Sequence, residues 1–190
     1  SLLAAGCEMC ISVPAPLTSW LERRQPAVLA EMAAGDRAAR RRLGHGNALA
    51  VPYTDVALPE LSPRDRETEI RWGMEDFRRC FHREPEGMWL PETAVDDETL
   101  DVLAEQGIRF TILAPHQVER APAGGLPGWY RTAGGHRIAL FIYDGALSHG
   151  VAFGPLVNDA AAWVERLTSA SGDLVAIATD GETYGHHHRG

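Results

Sequence analysis

Two acidic stretches carry the residues that could do chemistry. Gly87-Met88-Trp89-Leu90-Pro91-Glu92 is a short apolar run of strand type that ends in a carboxylate. Pro91 has no N–H to give a β-ladder, so it ends the strand and turns the backbone out of the sheet where Glu92 appears. Towards the other end of the chain, Leu174-Val175-Ala176-Ile177-Ala178-Thr179 is a continuous apolar run, the pattern of a strand buried on both faces, and it delivers Asp180-Gly181-Glu182. Reactive groups of α/β folds collect at the C-terminal ends of strands. Two acids so placed are what a two-carboxylate hydrolase needs, one ionised to attack and one protonated to release the leaving oxygen. Each acid alone has a plainer reading. Glu92 can be a turn or cap carboxylate, since Thr93 and Asp96 follow, and Asp180-Gly181 is a common turn dipeptide. It is the pairing of two strand-end acids that favours catalysis.

The histidines form a second set. His186-His187-His188 would place His186 and His188 on one face of an extended segment, and with Asp180 these could supply three metal ligands. The same side chains could bind hydroxyl groups or stand in solvent. His45 lies between Gly44 and Gly46, where small residues let backbone approach a ligand closely, and a plain turn is the alternative. Cys7 and Cys10 make a lone C-x-x-C with no second ligand pair, so reduced, buried thiols are expected there and at Cys80.

The elements that must position these groups alternate between strands and helices. Met9 to Val13 reads as a short strand, and Leu17 to about Leu43 as helical, with Pro26 opening a second helix and Gly35 expected to break it. Arg40, Arg41 and Arg42 end that segment at Gly44, a left-handed cap. Ser62-Pro63 opens a further helix whose Ile70, Met74, Phe77 and Phe81 form a buried stripe. Asp96 caps the next, with Leu100 and Leu103 inward and Gly107 at its end. Gly87 to Leu113 is therefore one βαβ unit with parallel strands. Trp129 to Thr132 and Ile138 to Tyr143 flank Gly134-Gly135 as a hairpin or two short strands, and Ala160 to Leu167 is a helix. Such alternation predicts an α/β fold, either barrel-like or an open parallel sheet, and the 190 residues suit one domain.

Composition narrows the partners. The chain is 45% hydrophobic and 23% charged, with a net charge of −8, and all 18 of its basic residues are arginine. That sign disfavours nucleic acid and anionic membranes. No run approaches the roughly 20 apolar residues of a membrane span, and a reduced, cytoplasmic setting fits the cysteines.

At Gly87 to Glu92 and at Asp180-Gly181-Glu182-Thr183-Tyr184-Gly185 the chain resembles glycoside hydrolase family 57. Pro85 to Thr93, Gly44 to Ala48 and Asp180 to Arg189 resemble the subgroup of that family with an additional C-terminal domain. The resemblance implies an incomplete (β/α)7-type barrel with parallel strands, and retaining chemistry on α-glucans or related α-glycosides through a covalent glycosyl-enzyme. It implies Glu92 as nucleophile and Asp180 as general acid/base, with Glu182 as a supporting acid. Trp89 and Tyr184 could stack on a sugar ring, and His45 and His186 could meet its hydroxyls. The family's chemistry requires no metal or other cofactor. Its His-Gln-Pro motif is missing, since His116-Gln117-Val118 lies in another context, so the chain reads as part of a catalytic barrel whose open edges could drive oligomerisation. Two competing expectations are a non-catalytic carbohydrate-binding protein of the same fold and a metal-dependent carbohydrate deacetylase-like enzyme.

Overall fold

The structure, a computed structural model, describes residues 9–170 and 172–188. Cys7 lies outside that range; Cys80 is buried as expected, whereas Cys10, just before the first strand, is exposed. The chain divides into two compact units. One holds the described residues up to Thr111 together with Arg131–Ile138; the other holds Ile112–Tyr130 and the described residues from Ala139 onward.

In the first unit β1 (Ile11–Ser12) is followed by α1 (Ala15–Arg24) and α2 (Pro26–Leu43), then β2 (Ala48–Leu49), α3 (Pro63–Phe81), β3 (Gly87–Met88), α4 (Asp97–Glu105) and β4 (Phe110–Leu113). Every pairing among these strands is parallel. Ile11 and Ser12 lie beside Ala48 and Leu49, Ala50 bridges to Met88, and Gly87 and Met88 lie beside Phe110 and Thr111. Each strand returns through helix, so the strands run the same way and their C-terminal ends share one edge.

Local chemistry sets the helix ends. The Ser62 hydroxyl accepts from the Asp65 N–H, and Asp96 accepts from the Thr99 N–H, so each side chain satisfies an otherwise unpaired donor of the first turn. Gly44 closes α2 in the left-handed conformation at φ 84°. The stripe Ile70, Met74, Phe77 and Phe81 is buried, with the two phenylalanine rings 4.9 Å apart, and Met88, Leu90, Leu103 and Ile108 complete the core of this unit.

One pair of charges is fully inside. Arg83 donates twice to the Asp36 carboxylate at 2.8 Å and once to the Ala48 carbonyl at 2.9 Å. Burial alone would raise the Asp36 carboxyl above its ordinary range, but the Arg83 guanidinium and the Ala48 N–H outweigh that and hold it below.

The second unit is assembled around Leu113, Ala114, Leu140, Leu147 and Val151, all buried. β5 (Gly128–Arg131) and β6 (Arg137–Ile142) form the expected hairpin. Its tip belongs with the first unit, where Asp101 of α4 accepts from the Thr132 hydroxyl and lies 2.9 Å from His136 Nδ1, and Asp97 accepts from the Ala133 N–H. α5 (Gly145–Ala152) is capped by Asp144 and α6 (Ala160–Thr168) by Asp159.

Two expectations fail. Gly35 does not interrupt α2, which runs unbroken from Pro26 to Leu43; one glycine costs a helix only about 1 kcal/mol, less than the flanking turns supply. Leu174 to Thr179 is not a ladder strand. It is held by separate bonds, with the Leu174 N–H on Gly124 O, Ala176 O accepting from the Asp144 N–H, and the Ala178 N–H on the Ser148 hydroxyl. Residues 175–179 are half-buried and Leu174 is exposed, because a helix cap and a loop, not a neighbouring strand, take its polar groups. Among the described residues, no helix is long and apolar enough to cross a membrane.

Candidate active site

In the first unit, β3 pairs over Gly87–Met88 and the chain stays extended through Leu90 before Pro91 turns it. Leu90 is fully buried, and Pro91–Thr93 make a single tight turn closed by the Thr93 N–H on Leu90 O at 2.9 Å and the Ala94 N–H on Pro91 O at 3.0 Å. Glu92 sits at the crest of that turn, exposed, in the left-handed region at φ 54°, and Thr93 follows at φ 52° with its side chain buried. Two successive non-glycine residues in that region cost roughly 1–2 kcal/mol each, so the surrounding packing must over-determine the turn. Pro91 and Thr93, both buried, anchor the turn on either side and leave the carboxylate outward. The strand beneath is braced sideways. The Trp89 N–H donates to Ala50 O at 2.8 Å and the Thr111 hydroxyl to Met88 O at 2.8 Å, and the Trp89 side chain is half-buried.

Glu92 thus stands at the C-terminal edge of the parallel strands. His45 does not. It precedes β2, so it lies at the N-terminal edge of the same strands, exposed, with Nδ1 3.2 Å from Gly46 O. Glycine on both sides of a histidine says nothing about which end of a sheet the loop occupies.

In the second unit Asp180 follows the extended segment and opens a tight turn over Gly181–Thr183, its carbonyl accepting from the Thr183 N–H. Thr183 is buried, whereas Asp180, Glu182, Tyr184 and His186 are exposed. The Tyr184 hydroxyl accepts from the Thr179 hydroxyl at 3.1 Å, which ties the aromatic ring back to the residue before Asp180. The histidine run is not extended. Gly185 turns the chain at φ 104°, and the N–H groups of His186 and His187 both reach Glu182 O. His187 Nε2 lies 3.9 Å from the Glu182 carboxylate, and His188 Nε2 lies 3.3 Å from Ala152 O. His186 and His188 therefore do not share a face through strand alternation. Among the described residues, no group of three or more histidine, cysteine, aspartate or glutamate side chains is placed to hold a metal ion.

Both acidic motifs have the same local build, an extended approach and a tight turn with a buried threonine behind an exposed carboxylate. Residues 11–190 match the family model described as glycosyl hydrolase family 57. The chain belongs to that family. This family 57 chain is 27% identical over 177 residues to a 4-alpha-glucanotransferase of Thermococcus litoralis, covering 90% of itself and 25% of that protein. It is 24% identical over 185 residues to an alpha-amylase of Pyrococcus horikoshii, covering 94% of itself and 28% of that protein. Its fold matches the crystal structure of the Thermococcus litoralis 4-alpha-glucanotransferase with a TM-score of 0.72 at 22% identity, over 93% of this chain and 28% of that one. The family 57 chain is thus an α/β fold with parallel strands that holds part of a (β/α)7-type barrel, and it spans about a quarter of the length of the curated relatives it matches.

Proposed function

We propose that the protein containing this chain is a retaining α-glycoside hydrolase or transglycosidase acting on α-glucan or a related carbohydrate. One observation carries the assignment of Glu92: it is lifted into solvent at the C-terminal edge of parallel strands by a left-handed turn that buries the residues on either side of it. The family relationship, and the α-glucan enzymes among the relatives, supply the reaction class.

In the proposed cycle the Glu92 carboxylate attacks the anomeric carbon while the glycosidic C–O bond breaks and the leaving oxygen takes a proton from Asp180. Asp180, now a base, removes a proton from water or from a sugar hydroxyl, which attacks the same carbon and frees Glu92. Water gives hydrolysis and a sugar hydroxyl gives transfer. Tyr184, exposed and tethered beside Asp180 through Thr179, is proposed to stack on a sugar ring, as is Trp89; Glu182 and His186 are proposed to meet hydroxyl groups.

Glu92→Gln and Asp180→Asn in the full-length protein test the reading. Each should lower turnover of an aryl α-glucoside by roughly 10²–10⁴-fold or more while leaving glucan binding largely intact. Unchanged turnover in either variant removes that residue from the mechanism. A carboxyl separation of about 5–5.5 Å in a crystal structure of the full-length protein is the matching geometric expectation.

A further inference from the structure

The structure has a second feature suited to carbohydrate, away from both acidic turns. Trp72 of α3 is 57% exposed although it sits in the middle of a 19-residue helix. It falls outside the buried stripe of that helix, and its indole forms one wall of a groove of about 530 Å³ lined also by Thr68, Arg71, Glu75, Arg78 and Gln106. That volume lies in the range of small-molecule sites.

The ring is braced. Tyr53 packs against it in a T-shaped pair, with centroids 5.6 Å apart and an interplanar angle of 79°. Tyr53 is in turn fixed by its N–H on Glu69 O, and the next residue, Thr54, donates from its N–H and its hydroxyl to the Glu69 carboxylate at 2.8 and 2.9 Å. An indole held on a rigid helix by a neighbouring ring, with more than half of the residue's surface open, can meet a ligand in the groove.

The polar lining suits hydroxyl groups. Arg71 is 3.4 Å from Glu67, and Arg78 bonds Glu75 at 3.1 Å and Glu84 at 2.9 Å, all in exposed ion pairs. Such pairs hold little net free energy, so guanidinium and carboxylate can turn to a ligand's hydroxyls at small cost. Gln106, at the C-terminal end of α4, adds both a donor and an acceptor. An apolar ring face with planar donors and acceptors around it complements a pyranose, which has an apolar C–H face and a hydroxyl rim.

We propose that this groove is a second α-glucan-binding site that holds polymeric substrate at a distance from the reacting bond. The proposal rests on the α-glucan reading above for its ligand. The groove is built from the middle and C-terminal part of α3 and the end of α4, which lead into the N-terminal ends of β3 and β4, whereas Glu92 stands at the opposite edge. A glucan held here leaves the catalytic end free.

The test uses full-length protein, with glycogen in native affinity gels as the binding probe and an aryl α-glucoside as the short substrate. Trp72→Ala should weaken glycogen retention by about tenfold, the loss expected for one stacking contact, and raise KM for glycogen with kcat and aryl glucoside turnover unchanged. Trp72→Phe should restore most of the retention. Gln106→Ala, at a half-buried position, and Glu75→Gln, at an exposed one, should each weaken retention about two- to fivefold, consistent with single hydrogen bonds. Unchanged retention in all three non-conservative variants overturns the site. So does an indole at position 72 that glycogen does not protect from acrylamide quenching. A wild-type protein that binds glycogen through Trp72 but turns over no α-glucan would sink the catalytic reading and leave this one standing.

Discussion

Glu92 is exposed to solvent and holds an unfavourable backbone conformation. Glycine takes φ near 54° without a Cβ penalty, so Glu92→Gly should raise the stability of the fold by about 0.5–1 kcal/mol even though it removes the proposed nucleophile. Denaturant melts of the two proteins measure this; a destabilised glycine variant would mean that the glutamate side chain makes contacts that support the turn. Asp36 is the opposite case. It is buried against Arg83, and Asp36→Asn leaves a guanidinium inside with no countercharge, an expected loss of about 3–5 kcal/mol in the same assay. Which acids matter was partly legible from residue types alone. Glu92 and Asp180 stand out because proline and glycine mark where extended backbone must turn. Asp36 did not, since an aspartate within a helix reads as solvated until Arg83, 47 residues away, is brought to it.

At the scale of elements, the docking of α3 depends on Gly73. A Cβ there would collide with the Val51 carbonyl oxygen, so the helix and the segment after β2 meet backbone to backbone. Alanine is the better helix former by about 1 kcal/mol, yet Gly73→Ala should destabilise the protein, because the helix must shift away from its partner. A rise in melting temperature for that variant would show that the two segments can separate without loss. The ends of α2, α3 and α4 were readable in advance because caps are local: Ser62, Asp96 and Gly44 need only the next few residues to act. Leu174 to Thr179 misleads for the converse reason. Its composition is that of an interior strand, but whether a ladder forms depends on what lies beside it, and here that is the cap of α5 and a loop. Trp72 carries a signal in the sequence, an aromatic two residues off the period of the Ile70, Met74, Phe77 and Phe81 stripe.

For the molecule as a whole, acid is the condition that should unfold it. Asp36 and Asp101 both titrate below the ordinary carboxylate range. For Asp36 the guanidinium of Arg83 and the Ala48 N–H overcome the effect of burial; for Asp101 the Thr132 hydroxyl and then His136 are responsible. A depressed native value means that the stabilisation is present above the unfolded value of about 4 and is lost as pH falls through the native one. Stability measured from pH 7 downward should hold to about pH 5 and then decline, and Asp36→Asn should flatten that decline. The same ion pair also governs time. Arg83, in the loop before β3, joins α2 and the start of β2, 47 and 35 residues earlier in the chain, so its bonds close only after those segments have docked against it. Interactions made that late resist opening while contributing little to the speed of folding. The pair is therefore a latch on the unfolding rate: cutting it should shorten the lifetime of the native state and leave the refolding rate nearly unchanged.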